Sequence, residues 1–429
     1  MIFGIINYFD NIKKYFIVLS AFITEFTVII FSLYGKIIPG GWDSLKGIEL
    51  NFGEKEKIII FLVTVVFFIN YLRIKDKYDN TFYFLYLILL GTTNGFFMSR
   101  DFFNIYVHLE LITIILFILS AYDKEEKKLF NALTYLLYSS VAFGFYMIAV
   151  AVQYSYSGSL NFDINTGKGF HELFFPFMII FVLIKSGFIL VTNWLPRVHS
   201  DSVKGLSPIL SGIFAMIPIY ILSNFSVYMD EKMKNILIPV LITISVFTYF
   251  INSLQKDAKK ILAYSTMGQN VFGLIICMIK PEYFWIFYII HMVSKSILFF
   301  GAENIKEKYT LSIDFIILSV ILFINLSGIY PSQIYGIKKG LEMTNIININ
   351  YFFAGIITLN YIKNIKIEKI LSLKSILYTI IFGIFYVFLN RYLSKPFSDK
   401  NILIPYIIYF SGIISGIPVQ KIIKNDFKK

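Results

Sequence analysis

Residues 172–199 read ELFFPFMIIFVLIKSGFILVTNWLPRVH, and this pattern decides what kind of fold the chain can have. The apolar run near 172–192 is long enough to cross a bilayer, which takes roughly 20 helical residues. It nevertheless carries Lys185 and is interrupted by glycine and by Asn193-Trp194-Leu195-Pro196. A lysine at the bilayer centre costs roughly 2.5–3.5 kcal/mol on insertion scales, so its presence implies a use. Backbone groups freed by such an interruption must be satisfied by protein or by a hydrated cavity. The combination recurs at Gly328-Ile329-Tyr330-Pro331 through Gly336-Ile337-Lys338, with Lys339 next to it. Paired interrupted helices in the two halves of a chain point to an ion site near the midplane of an inverted repeat.

The composition agrees. Of 429 residues, 57% are hydrophobic and only 15% charged, with a mean hydropathy of +0.70. A soluble protein of this size needs far more polar surface, so the class is a polytopic helical membrane protein. The single cysteine, Cys277, lies in an apolar run, which excludes a disulfide framework or a thiolate metal cluster within the chain. The N-terminus has no small-residue cleavage site, and apolar segments continue to the last residues, so no signal peptide is expected. The formal charge of +12 is spread through short loops, which fits topology and anionic lipid better than nucleic acid.

Spans are expected near 15–35, 57–72, 81–99, 102–121, 130–153, 172–192, 206–224, 236–252, 260–279, 283–301, 311–329, 373–390 and 401–419. The pattern between 331 and 362 reads as one interrupted crossing or two short ones, so the total is about 13–15, with 14 the middle value. Residues 1–429 are read as a single membrane domain, because the longest polar loops, Gly35–Lys57 and Ser155–Glu172, are too short to fold alone. The basic loops Arg73/Lys75/Lys77, Lys124/Lys127/Lys128, Arg197/Lys204, Lys256/Lys259/Lys260 and Lys306/Lys308 fall on alternate sides. By the positive-inside rule they face the cytoplasm, as does the N-terminal Lys13/Lys14.

Ionisable residues at membrane depth are the candidate site. Glu110 and Lys185 make a charge pair whose movement or hydration would switch proton affinity; the bland reading is a structural ion pair. His291 and Lys295 are one helical turn apart and share a face, which suits a proton relay. The alternative there is an interhelical hydrogen bond with the lysine snorkelling outward. His199, beside Asp201, reads equally as the place where protons enter or as a solvated loop histidine. Lys338 reads equally as the end of the path or an interfacial anchor. His108 is assigned to packing or hydrogen bonding, His171 to a loop, and Lys256, Lys259 and Lys260 to topology. No phosphate loop, zinc spacing or nucleophile triad is visible, so neither a metal site, a cofactor nor an autonomous enzyme is expected.

Five ordered stretches carry a resemblance. Asp101-Phe-Phe-Asn-Ile-Tyr-Val-His-Leu-Glu110 resembles a D-[LF]-F-N-x-Y-V-x-x-E segment, and Lys185 through His199 resembles a K-x8-W-L-P-x-A-H run continued by Ser207-Pro-Ile-Leu-Ser-Gly212. Gln255 through Gln269 is similar to Q-x-D-x-K-x-x-L-A-Y-S-[ST]-x-x-Q, and His291 through Phe300 to H-x-x-x-K-x-x-L-F. Leu326 through Lys338 resembles L-x-G-I-P-P-x-x-G-F-x-G-K more loosely. Together they resemble the antiporter-like membrane subunits: the D-type subunit of Mrp cation/proton antiporters and its relatives in membrane-bound hydrogenases and respiratory complex I.

The resemblance implies a 14-helix all-α bundle of two inverted five-helix repeats with broken helices, near 80–225 and 235–392. It also implies a buried Glu/Lys/His axis in which Glu110 pairs with Lys185, Lys295 is central and Lys338 lies on the second broken helix. There are departures. Only three spans precede Glu110 where the family has four, and Met216 stands where relatives carry a lysine.

The reading is a transport subunit, multi-pass in the plasma membrane, moving H⁺, in exchange for Na⁺ in one variant, along Glu110, Lys185, His199, His291, Lys295 and Lys338. Its expected partners are other membrane subunits of an antiporter or of an energy-converting oxidoreductase complex, and the bilayer. One alternative is a non-conducting structural subunit of the same complex, supported by Met216 and by the one span fewer that precedes Glu110. A membrane-embedded enzyme acting on lipid-linked substrates is the other, and it lacks the acidic loop clusters such enzymes need.

Overall fold

Long apolar sequences become helices in a membrane because every backbone polar group must be satisfied within the segment. The computed structural model describes residues 14–308 apart from 33–34 and 44–46, then 310–312, 366–368 and scattered residues between 319 and 362. Among the described residues, eight helical segments are long and apolar enough to cross a membrane, and two shorter apolar helices accompany them. The expected spans at 311–329, 373–390 and 401–419, and the interrupted stretch 331–362, lie wholly or mostly outside the described residues. The chain divides into two compact units, Met1–Asp230 and Glu231–Lys429.

The first unit opens with α1 (Lys14–Phe31), followed by two short antiparallel strands, β1 (Gly35–Ile37) and β2 (Leu50–Phe52). Three long helices follow: α2 (Glu54–Ile74), α3 (Asn80–Met98) and α4 (Phe102–Ser120). Asp79 and Asp101 cap α3 and α4 by accepting from the backbone N–H groups of Phe82 and Asn104. After α5 (Glu126–Ser157) and a short α6 (Phe162–Lys168) comes α7 (Phe174–Lys185), which stops at the lysine. Gly187 takes a positive φ of 72°, and a Cβ there would come within 3.1 Å of Leu195 Cβ, so glycine is required on both counts. The chain resumes as α8 (Trp194–Asp201). The break expected between Lys185 and Pro196 is therefore present.

The span at 206–224 contains a break that hydropathy does not announce. It divides into α9 (Leu206–Gly212), a 3₁₀ turn at Phe214–Met216 and α10 (Ile217–Ser223). Pro218 lies at the start of α10; it cannot donate to a carbonyl in the preceding turn and its ring would crowd a continuous helix.

The second unit begins with α11 (Glu231–Ser253) and α12 (Ala258–Ile279). They pack closely at Gly268, where a Cβ would fall 2.6 Å from the Tyr249 ring. α13 (Phe284–Lys308) follows, and β3 (Thr310–Ser312) pairs in parallel with β4 (Lys366–Glu368).

At the end of the first unit opposite the basic loops, a polar clasp ties three chain segments together. The backbone of Arg100 donates to Glu49 (2.9 Å) and that of Phe162 donates to Arg100 (2.9 Å). Lys36 pairs with Glu49 at 2.9 Å and with Asp163, Arg100 reaches Asp163 at 3.2 Å, and Asn161 donates to Glu49 at 2.9 Å. Partial burial alone would raise the Asp163 carboxyl, but Lys36 and Arg100 outweigh it and hold it below the usual carboxylate range. Hydrogen bonds to Asp163 and then Glu49 push Lys36 above the usual lysine range.

The signs set a pH window for the clasp. The Asp163 contribution is present above its unfolded value, about 3.9, and is lost as pH falls through the lower folded one. That of Lys36 is present below about 10.4 and is lost as pH rises through the higher folded one. Hydrogen exchange over residues 35–52 should be slow between these limits and faster beyond them. In Asp163→Asn the acid limb should disappear, and the change should be modest because the pairs are half exposed.

Candidate functional site

Three polar side chains from two helices converge on the end of a third. Lys185, the last residue of α7, is 8% exposed, and its Nζ donates to Ser139 Oγ (2.7 Å), Thr113 Oγ1 (2.9 Å) and Tyr135 OH (3.1 Å). Tyr135 and Ser139 are one turn apart on α5, so they share a face; Thr113 comes from α4. The ammonium also lies 4.5 Å from the centre of the Tyr135 ring and 4.8 Å from that of Phe143, and both ring faces favour a cation. At the end of a helix, the outward carbonyls favour positive charge as well.

The interruption after Lys185 is built into the site. Trp194 Nε1 donates to the carbonyl of Ile184 at 3.1 Å, adding a side-chain donor to a terminal carbonyl that also accepts from the backbone N–H of Gly187 at 3.2 Å. Its ring meets Tyr135 at a centroid distance of 4.9 Å. A small cavity beside Lys185 is lined by Thr113, Tyr135 and Trp194, and closed by Leu210, Phe214 and Ile217. Those last three flank the second break, so both interruptions of the first unit meet at one lysine. Met216, in that second break, is wholly buried and contributes no polar atom.

Glu110 lies on α4, half buried, three residues before Thr113. The direct ion pair expected with Lys185 is absent among the described residues: the contacts of Nζ go to neutral hydroxyls, and Glu110 acts on it only at a distance. The reason is geometric. Thr113, one turn further along the same helix, occupies the position against Nζ. Tyr106, one turn before Glu110, is within hydrogen-bonding reach of the carboxylate.

His199 on α8 is 0% exposed, which removes the solvated-loop reading, and its backbone carbonyl accepts from Ser207. Its neighbour Asp201 is tied to α5 by Asn131 (2.8 Å) and Lys127 (3.1 Å). His108 lies against Gly95 of α3.

The second unit has a lysine of its own. Lys295, in the middle of α13, is 0% exposed and donates to Ser265 Oγ (2.7 Å) and to the Leu262 carbonyl (3.3 Å), both on α12. Snorkelling is excluded, since the ammonium turns inward to a neighbouring helix. His291, one turn earlier, is equally buried. Lys259, assigned from sequence to topology alone, is only 4% exposed, and Glu303 further along α13 is 3% exposed. Lys338 lies outside the described residues.

Chemically, both lysines are held by neutral oxygen. A hydroxyl accepts from an ammonium and can rotate to donate to the lone pair of a neutral amine. Such a cage serves both protonation states, whereas a carboxylate in contact would favour only the charged one. Thr113, Tyr135 and Ser139 do not stand out in the sequence because single hydroxyls in apolar helices are common; the Tyr135/Ser139 spacing is the one available signal. Ser265 stands within the quoted Gln255–Gln269 stretch, whose role becomes clear only beside Lys295.

Comparison with known proteins points the same way. Residues 99–322 match the family described as NADH:quinone oxidoreductase/Mrp antiporter, transmembrane. The chain is 26% identical over 350 residues to the D-type subunit of the Na(+)/H(+) antiporter of Alkalihalophilus pseudofirmus, covering 74% of this chain and 71% of that protein. Two solved structures share the fold. A chain of an archaeal membrane-bound sulfane sulfur reductase superposes with a TM-score of 0.70 at 18% identity, covering 96% of this chain and 91% of that one. A chain of the Mrp complex from Dietzia sp. DQ12-45-1b gives 0.61 at 15% identity, covering 90% of this chain and 76% of that one. With more than half of its length matched, the chain belongs to the NADH:quinone oxidoreductase/Mrp antiporter transmembrane family.

Proposed function

We propose that this chain is a proton/cation-translocating subunit of a multi-subunit complex in the plasma membrane. The observation that carries the reading is Lys185, sealed inside the first unit with three hydroxyls that suit its charged and its neutral form. The route runs through Glu110, Lys185 and His199 in the first unit and through His291, Lys295 and Lys338 in the second. Na⁺ is the candidate counter-ion, by analogy with the named activity of the Alkalihalophilus relative. The two inverted repeats are assigned to 80–225 and 235–392; the division of the chain at Asp230 is consistent with that assignment.

Within the proposal, Glu110 sets the field at Lys185 without touching it. A proton arriving near Glu110 weakens that field, and Lys185 then exchanges its proton through the hydroxyl cage. The cavity beside it has room for about one water molecule, which would extend the chain of hydroxyls.

The second reading, a non-conducting subunit, is favoured by one observation. Met216 places a thioether where a proton carrier would be expected, fully buried at the second break.

Four outcomes test these readings. In proteoliposomes containing the assembled complex, Lys185→Ala and Glu110→Gln should each abolish proton movement, with subunit content unchanged on native gels; normal transport in both ends the proposal. Thr113→Val and Ser139→Ala should each destabilise the first unit by about 1–3 kcal/mol, because a buried ammonium loses a partner; denaturant titration of the purified chain measures this. Lys185→Met in the Ser139→Ala background should recover most of that loss without recovering transport. If instead the wild-type complex is silent and Met216→Lys leaves it silent, the non-conducting reading holds.

A further inference from the structure

A second intramembrane acid lies outside the proposed route. Glu25 falls within α1, among Phe22, Ile23, Thr24 and Phe26, and is half buried. Carboxylates at such depth are rare and need a partner. Its partner is Asn94 of α3, which is 5% exposed and donates from Nδ2 to Glu25 Oε1. The other end of that amide, Oδ1, is buried without a hydrogen-bond partner. At the next residue, Gly95 admits the His108 ring from α4; a Cβ there would fall 2.6 Å from Cε1 and 3.0 Å from Nε2. The Nδ1 of this imidazole is likewise buried without a partner.

Two buried polar atoms without partners and a carboxylate thus flank a single step of one helix. α3 carries no charged residue of its own. From α2, Phe61, Phe68 and Tyr71 pack edge-on or at a tilt against Phe22 and Phe26, and Lys57 binds the carbonyls of Ile30 and Ser32 beyond the end of the Glu25 turn. His108, Tyr71 and Lys57 are the titratable groups that these helices bring toward Glu25.

We propose that Glu25, Asn94 and His108 form a second proton-binding site within the membrane, separate from the lysine route. The carboxylate accepts from Asn94 Nδ2, an arrangement that suits its ionised form. When a proton adds to Glu25, the new O–H needs an acceptor, and rotation of the amide about its last bond presents the vacant Oδ1. An asparagine therefore satisfies both forms of the acid. His108, against the adjacent glycine, offers a buried ring nitrogen that can take up or hand on the proton.

The test is pH-difference infrared spectroscopy on the full-length chain in nanodiscs. Acidification should produce a protonated-carboxyl C=O band that is lost in Glu25→Gln. Because Asn94→Leu removes the hydrogen-bonding amide, it should move the band to higher frequency. His108→Phe should slow its appearance severalfold after a pH jump. Lys185→Met should leave it in place, so the site stands or falls independently of the proposed transport route. If Glu25→Gln does not fold, Glu25→Asp replaces it: a displaced band supports the site. An unchanged band in Glu25→Gln or in Glu25→Asp overturns it.

Discussion

An ammonium in hydrocarbon must be given oxygen partners by the protein, and much of the first unit follows from meeting that demand. Desolvating a charge without partners costs several kcal/mol, so the surrounding helices have to deliver polar atoms to one point. α5 delivers Tyr135 and Ser139, and α4 delivers Thr113. α7 stops at the lysine, which aligns its terminal carbonyls with the charge, and Trp194 adds a donor to one of them. The break at Phe214–Met216 then brings apolar side chains against the far side of the cavity. A continuous helix in either place would have carried its side chains past the site.

The two units solve the same problem differently. Lys185 has three hydroxyls and two aromatic faces, while Lys295 has one hydroxyl and one carbonyl among the described residues. A carbonyl only accepts, so the Lys295 site has less capacity to follow a change of protonation by rotating a partner. Ser265 is then the adaptable member of that pair, and it stands on a helix whose closeness to α11 depends on Gly268.

Most of the fold is legible in the sequence because hydropathy in a membrane protein is nearly a direct readout of helix position. The expected spans 81–99, 102–121 and 260–279 fall within about two residues of α3, α4 and α12. The break after Lys185 is legible too, since glycine and proline mark it. The break before Pro218 is flanked by the same residue types, Gly212 and Pro218, but hydropathy stays high across it, so the stretch reads as one continuous span. In the site, the ionisable residues announce themselves by their rarity, whereas their neutral partners do not. Glu110 also shows the limit of charge logic: opposite signs on adjacent spans imply contact, but Thr113 stands closer to the ammonium. Glu25 escapes notice because its span carries no motif.

The indole that closes the end of α7 has a use beyond structure. The chain has three tryptophans; Trp42 is 64% exposed, whereas Trp194 is 2% exposed and packs at a tilt against the phenol that accepts from Lys185. The indole thus shares a small cavity with the Lys185 amine. With Trp42 and Trp285 replaced by phenylalanine, fluorescence from this one ring would become a label-free optical reporter of the lysine's electrical state in a working membrane.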